Sequence, residues 1–203
     1  MNLLEAALRR TVADLAKYDR RWALVGGFAV SARADPRFTH DIDAAVAVAD
    51  DADSEGLVRL MLADGYRLLA SVEQDETGRL ATVRLASPLS GEDVVVDLLF
   101  ASSGIEPEIA RAAEMTEVVP GLRLPIATTG HLIALKLLAR DDLERPQDLA
   151  DLRSLGEVAT AADYQAAHEA VLLISSRGFA RGRDLTAALE ELERMSGHPA
   201  DES

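Results

Sequence analysis

The stretch Trp22-Ala23-Leu24-Val25-Gly26-Gly27 is followed, fourteen positions after its last glycine, by Asp41-Ile42-Asp43. The apolar residues read as a short buried strand. The glycine pair reads as a tight turn opening a helix over Phe28–Ala34, which Asp35-Pro36 stops. Lacking side chains, Gly26 and Gly27 permit positive φ and close approach of a ligand to backbone N–H groups. A helix N-terminus adds partial positive charge, which suits phosphate. A second strand runs from Asp41 to Val48. Alternate strand residues share a face, so Asp41 and Asp43 project together while Ile42 turns into the core. Val94 to Phe100 is a further strand, with Asp97 inside an otherwise apolar run. A lone buried carboxylate is costly unless it is paired or binds metal. Three converging carboxylates are stabilised by a hard cation, and Mg²⁺ is the expected one. Each piece alone has a plainer reading: an ordinary turn, a solvated strand edge, a strand end. Their order and spacing carry the argument.

The rest of the chain arranges itself around this unit. Leu4, Leu8, Val12 and Leu15 have helical spacing in residues 3–17. Ser54 to Asp64 reads as an amphipathic helix. Tyr66–Val72 and Arg79–Ala86 flank Asp75-Glu76-Thr77-Gly78, a hairpin signature. Ile105–Glu114 reads as a helix, and Val118–Leu124, broken by Pro120-Gly121, as a short irregular extended piece. Beyond Thr128 the pattern is helical: Thr128–Arg140, Pro146–Leu155, Asp163–Ser175 and Asp184–Met195. The expectation is an α+β fold with a mixed sheet. Residues 1–127 form its sheet-bearing domain, 128–197 a helical region and 198–203 a tail.

Composition excludes several classes. The 203 residues contain no cysteine, so disulfide scaffolds, thiolate metal sites and cysteine nucleophiles are excluded. No apolar run approaches the roughly 18–20 residues of a membrane span. No leader is visible at Met1–Glu5. A cytoplasmic protein without membrane contact is expected, with a monomer as the default and the oligomeric state open. Net charge is −14, which disfavours nucleic acid for the molecule as a whole. Residues 1–40 nevertheless carry seven Lys/Arg against four Asp/Glu. Arg9, Arg10, Lys17, Arg20, Arg21, Arg33 and Arg37, with Arg177, Arg181 and Arg183, could supply a local cationic face. Ordinary solvated helix faces are the alternative. There are only two lysines, Lys17 and Lys136, and Lys136 sits among Ile133, Leu135, Leu137 and Leu138.

The glycine turn, the Asp-x-Asp pair and the later Asp resemble the nucleotidyltransferase superfamily related to polymerase beta. Gly26-Gly27-Phe28-Ala29-Val30-Ser31, Thr39-His40-Asp41-Ile42-Asp43, Lys136 and Arg145-Pro146-Gln147-Asp148-Leu149-Ala150-Asp151-Leu152 look more particularly like the AbiEii-type nucleotidyltransferase toxins, including the mycobacterial MenT group. The resemblance covers about residues 22–155. Gln147 departs from it, standing where the family usually has lysine.

The resemblance implies a toxin that transfers a nucleotide from an NTP to the 3′ acceptor end of tRNA and blocks aminoacylation. It implies Mg²⁺ on Asp41, Asp43 and Asp97, and Asp41, Asp43, Asp97, Lys136 and Asp148 as catalytic residues. Gly26, Gly27, Ser31, Thr39, Lys136, Arg145 and Asp151 would bind the nucleotide. It also implies a cognate antitoxin, in some members acting by phosphorylation of a hydroxyl such as that of Thr39, which could otherwise simply cap a turn. Lys136 could be a solvated lysine, and Asp151 could pair with Arg145 or Arg153. Two other functions stay open: a small-molecule (aminoglycoside-type) or protein nucleotidyltransferase, and a degenerate, non-catalytic binding module.

Overall fold

The computed structural model describes residues 3–37, 39–74, 77–89, 94–141 and 146–197. Helix α1 (Leu3–Lys17) leads into strand β1 (Trp22–Val25), helix α2 (Gly26–Arg33), strand β2 (Asp41–Val46) and helix α3 (Asp51–Ala63). Strands β3 (Arg67–Glu73), β4 (Leu80–Ala86) and β5 (Val95–Leu99) follow. Helix α4 (Glu106–Ala112) then leads to the hairpin of β6 (Glu114–Val119) and β7 (Leu122–Ile126). Helices α5 (Thr129–Ala139), α6 (Pro146–Val158), α7 (Ala161–Ser176) and α8 (Leu185–Met195) complete the chain.

The seven strands form one sheet in the order β3-β4-β5-β2-β1-β7-β6. The pairs β2–β5 and β1–β7 are parallel and the others antiparallel, so the sheet is mixed and the α+β expectation holds. The central position of β1 follows from its composition, since all four residues are buried and a strand covered on both faces reads as a continuous apolar run. Leu24, Leu98 and Ile126 are fully buried, each contributing about 2 kcal/mol by burial. Helices α2 and α4 pack on β1 and β2. Helix α1 is tied down by buried Asp14, which accepts from Arg10 Nε at 2.7 Å and Tyr66 Oη at 3.0 Å.

Helices α5 and α7 approach closely because Gly130 lacks a side chain: a Cβ there would lie 2.3 Å from the Asp163 carbonyl. Thr160 and Asp163 form a capping box at the start of α7, which satisfies two otherwise orphaned N–H groups. Two expectations are corrected. The helix read over Ile105–Glu114 ends at Ala112, and Glu114 already opens a strand. The short extended piece expected over Val118–Leu124 is part of a longer hairpin, with Pro120-Gly121 at its turn and Gly121 at φ 74°, and the expected irregularity is a register shift between Glu117 and Val119. The expected tail, 198–203, lies outside the described residues.

Candidate active site

Three neighbouring strands build the floor of a cleft of about 1160 Å³. On β2 and β5, Asp43 stands in register with Asp97, and on β4 Arg84 stands in register with Asp97. Asp41 shares the face of Asp43, while Ile42 is buried beneath, as its alternation requires. All four polar residues line the cleft.

Gly26 follows β1 directly and holds φ 63°. A Cβ on it would lie 1.9 Å from Asp43 Oδ2. A Cβ on Gly27 would lie 2.8 Å from both Arg37 Nη2 and Thr39 Oγ1. The glycine pair therefore lets β2 and the loop before it close against the helix start, and Thr39 lines the cleft beside Gly27. The Ser31 hydroxyl, expected to contact phosphate, bonds the backbone of Arg37. Ser31 Oγ donates to the Arg37 carbonyl at 3.2 Å and accepts from the Arg37 N–H at 3.1 Å, pinning the loop that carries Thr39.

The opposite wall comes from α5 and α6. Lys136 Nζ lies 2.7 Å from Asp148 Oδ1 and 2.7 Å from Asp151 Oδ2. Its side chain is only 13% exposed, so it is not a solvated surface lysine. Asp151 also accepts a bidentate pair from Arg37, at 2.6 Å from Nε and 2.8 Å from Nη2. Its partners are thus Arg37 and Lys136, in place of the alternative Arg153; Arg145 lies outside the described residues. Gln147 Nε2 donates to Asp151 at 3.3 Å, so the residue replacing the family's lysine joins the same network. Burial pushes the Asp151 carboxyl up, but the hydrogen bonds from Arg37 and Lys136 outweigh it and hold the group below its ordinary value.

Arg84 was missed by sequence reading. Its Nε and Nη2 donate to the two oxygens of Asp97 at 2.9 and 2.7 Å. Asp97 is therefore drawn to an arginine, and the expected three-carboxylate ring is not closed: among the described residues, no three His, Asp or Glu side chains are grouped to hold a metal ion. Asp43 faces Asp97 across the strands and shares the face of Asp41. Burial, then the charges of Asp97 and Asp41, push its carboxyl up to about 7, against the opposing pull of Lys136 and Arg84. Crowded oxygen donors of this kind fit a hard divalent cation, with Asp41 and Asp43 as the available pair.

Most of the cationic residues expected to form a face in residues 1–40 are ion-paired within the chain, and Arg21 is exposed. Arg9 pairs with Glu5, Arg10 with Asp14, Lys17 with Asp64, Arg20 with Asp53, Arg33 with Glu114 and Arg37 with Asp151. Arg177 pairs with Glu108. Of the basic residues expected to form that face, Arg37 and Arg181 line the cleft, Arg181 donating to the Ser102 carbonyl at 3.0 Å. Among the described residues no helix is long and apolar enough to cross a membrane.

The fold is shared with an antigenic nucleotidyltransferase-like protein from Paracoccidioides brasiliensis, at 16% identity and a TM-score of 0.53, with 92% of this chain and 91% of that one covered. It is shared also with the antibiotic-resistance factor ANT(2'')-Ia, at 16% identity and a TM-score of 0.50, covering 95% and 94%. MenT4, a nucleotidyltransferase toxin from Mycobacterium tuberculosis, aligns at 15% identity and a TM-score of 0.47, covering 96% and 92%. No curated protein matches the chain. The first two of these structural likenesses show a shared α+β fold. The model of the AbiEii family, nucleotidyl transferase toxins of type IV toxin–antitoxin systems, matches residues 6–200, and the chain belongs to that family.

Proposed function

We propose that this toxin transfers a nucleoside monophosphate from an NTP to the 3′ acceptor end of a tRNA, with release of pyrophosphate, and so blocks aminoacylation and translation. The observation that carries the reading is the cleft itself. Asp41, Asp43 and Asp97 face it from two adjacent parallel strands beside a glycine turn, and Lys136 and Asp148 line the opposite wall. In this reading the chain divides after residue 127, the sheet part supplying the aspartates and the helical part Lys136 and Asp148.

The roles follow from chemistry. The backbone N–H groups of Gly26 and Gly27 cradle phosphate at the start of α2. Lys136 is a point charge for the triphosphate. It must loosen from Asp148 or Asp151 to serve, and Asp151 keeps Arg37 when it does. Asp41 and Asp43, with Asp97, would hold Mg²⁺, which supplies charge neutralisation at the α-phosphate and the leaving pyrophosphate. Asp97 assists deprotonation of the acceptor hydroxyl once released from Arg84.

Regulation by a cognate antitoxin belongs to the same proposal. A phosphate on Thr39 would add about −1.5 to −2 charges at the wall shared with Gly27, and would repel the triphosphate. Intact-mass analysis after co-expression with the antitoxin should show an 80 Da adduct (about one phosphate) on the wild type and none on Thr39→Val. An adduct that persists on the variant would remove Thr39 from this role.

One observation favours a second reading. Five of the six arginines of the N-terminal forty residues are ion-paired within the chain and the cleft floor is acidic, which suits a small cationic acceptor such as an aminoglycoside. A single experiment separates the readings. Each α-³²P-labelled NTP is incubated with the protein and Mg²⁺, in parallel with total tRNA or with aminoglycosides, beside Asp41→Ala. Label on tRNA that disappears in the variant supports the first reading. Label on the antibiotic supports the second. Label on neither acceptor with any NTP marks a non-catalytic module.

A further inference from the structure

Arg84, Asp97 and Asp43 lie in one row across β4, β5 and β2, each in register with the next. The row brings a permanent cation against the acid that the proposed reaction needs. Arg84 spends Nε and Nη2 on Asp97, engaging both carboxylate oxygens. The carboxylate is nearly buried, at 9% exposure, whereas the Arg84 side chain is 47% exposed and lines the cleft. A guanidinium has five N–H donors in a planar fork, so the edge turned away from Asp97 is available to a ligand in the cleft. The fork matches two phosphate oxygens as well as it matches a carboxylate.

Two positive charges compete for Asp97. A divalent cation on that carboxylate sits within a few ångströms of the guanidinium, and the two repel strongly in a half-buried site. One of them must yield. Phosphate competes with Asp97 for the guanidinium, and it offers Arg84 a new partner at the moment it loses the old one.

We propose that Arg84 couples the two ligands of the site: it holds Asp97 in the nucleotide-free toxin, and releases it to the cation when its guanidinium transfers to the phosphates of the NTP. This rests on the reading of the cleft as a nucleotidyltransferase site. Arg84 is then a positioning residue toward Asp97 and a phosphate ligand toward the nucleotide. The toxin binds cation weakly when empty and well when loaded, so the complete site assembles only around substrate.

The coupling is reciprocal by thermodynamic necessity, and binding equilibria measure it without any turnover. Mn²⁺ is titrated onto the full chain by electron paramagnetic resonance, without nucleotide. Arg84→Met should bind Mn²⁺ about tenfold more tightly than the wild type, a typical size for such coupling. In saturating Mn²⁺ the same variant should bind a non-hydrolysable NTP analogue about tenfold more weakly. Arg84→Lys, which keeps the charge but loses the fork, should lie between the two in both titrations; circular dichroism confirms that each variant is folded. Adding Asp97→Asn to Arg84→Met should erase the gain in Mn²⁺ affinity. Unchanged or weakened Mn²⁺ binding in both Arg84 variants overturns the proposal and makes Arg84 a fixed counter-ion. Mn²⁺ binding that Asp41→Ala leaves untouched overturns instead the reading of the cleft as a cation site, a separate failure.

Discussion

Replacing an aspartate of the cleft floor should make this protein more stable, and Asp43→Asn is the variant to test. The Asp43 carboxyl has an ordinary value of 3.8 and is pushed up to about 7, by burial first and then by Asp97 and Asp41. Each tenfold change in proton affinity corresponds to about 1.4 kcal/mol, so ionising Asp43 in the fold costs at most about 4 kcal/mol. Water in the open cleft screens part of this, leaving about 2 kcal/mol. The sign is set by proton uptake. Between pH 3.8 and about 7 the folded state binds more protons than the unfolded one, so the metal-free wild type loses stability as pH rises through that window and levels off above it. Asparagine keeps the shape and removes the charge. Urea unfolding in EDTA can be followed through Trp22, the single tryptophan, which is buried in β1. At pH 8 the midpoint should rise by about 1 M for Asp43→Asn, taking about 2 kcal/mol per molar urea. At pH 4 the two proteins should unfold together. Nucleotide transfer should be lost in the variant at both pH values. A midpoint equal to or below the wild type at pH 8, or a difference that does not change with pH, would refute the reasoning.

Gly26→Ala should cost more than about 2 kcal/mol and abolish transfer, because φ is 63° and the new Cβ collides with Asp43. Gly121→Ala, at φ 74° in open space, is its control and should cost about 1 kcal/mol in the same urea assay with transfer intact. Lys136→Met leaves Asp148 and Asp151 facing each other without their shared cation. It should lower stability by about 3 kcal/mol at pH 7. The deficit should shrink as pH falls through the lowered Asp151 value, because the ion pair then also fails in the wild type. Gly130→Ala should destabilise by about 1–3 kcal/mol through overpacking, and thermal unfolding should show it, since its Cβ meets the α7 backbone at Asp163.

The parts of the fold that were legible in the sequence share a reason. β1 is an unbroken apolar run closed by a glycine pair, and in β2 and β5 the acids interrupt apolar residues at defined positions, so strand, face and candidate ligands could be read together. The hairpin of β6 and β7 was not legible. It closes one end of the sheet, much of β6 is exposed, and Pro125 lies within β7; weak alternation and a proline both argue against a strand until its place near the edge is known. The site divides in the same way. Asp41, Asp43 and Asp97 follow from strand periodicity, and Lys136 with Asp148 from the family pattern. Arg84 and Arg37 were hidden because their significance lies in pairing. Arg84 is one polar residue of an alternating strand until the register sets it opposite Asp97. Arg37 counted toward a cationic face until the fold carried it 114 positions along the chain to Asp151. Charge tallied by segment could not distinguish a basic surface from an internal staple.

That long pairing bears on how a cell makes such a protein. The cleft draws on β1 to β5, α2, α5 and α6, and the Lys136 wall is completed by Asp148 and Asp151, which follow every other residue lining the cleft except Arg181. The parallel union of β2 with β5 cannot form before Leu99 has been synthesised, and the union of Arg37 with Asp151 needs a further fifty-two residues. A ribosome holding a shorter chain therefore displays no assembled cleft wall. Contacts so distant in sequence also form slowly. Truncated or stalled products of this gene should be harmless to their host, and the interval between translation and final docking of α6 is one in which the toxin exists as polypeptide but not yet as poison.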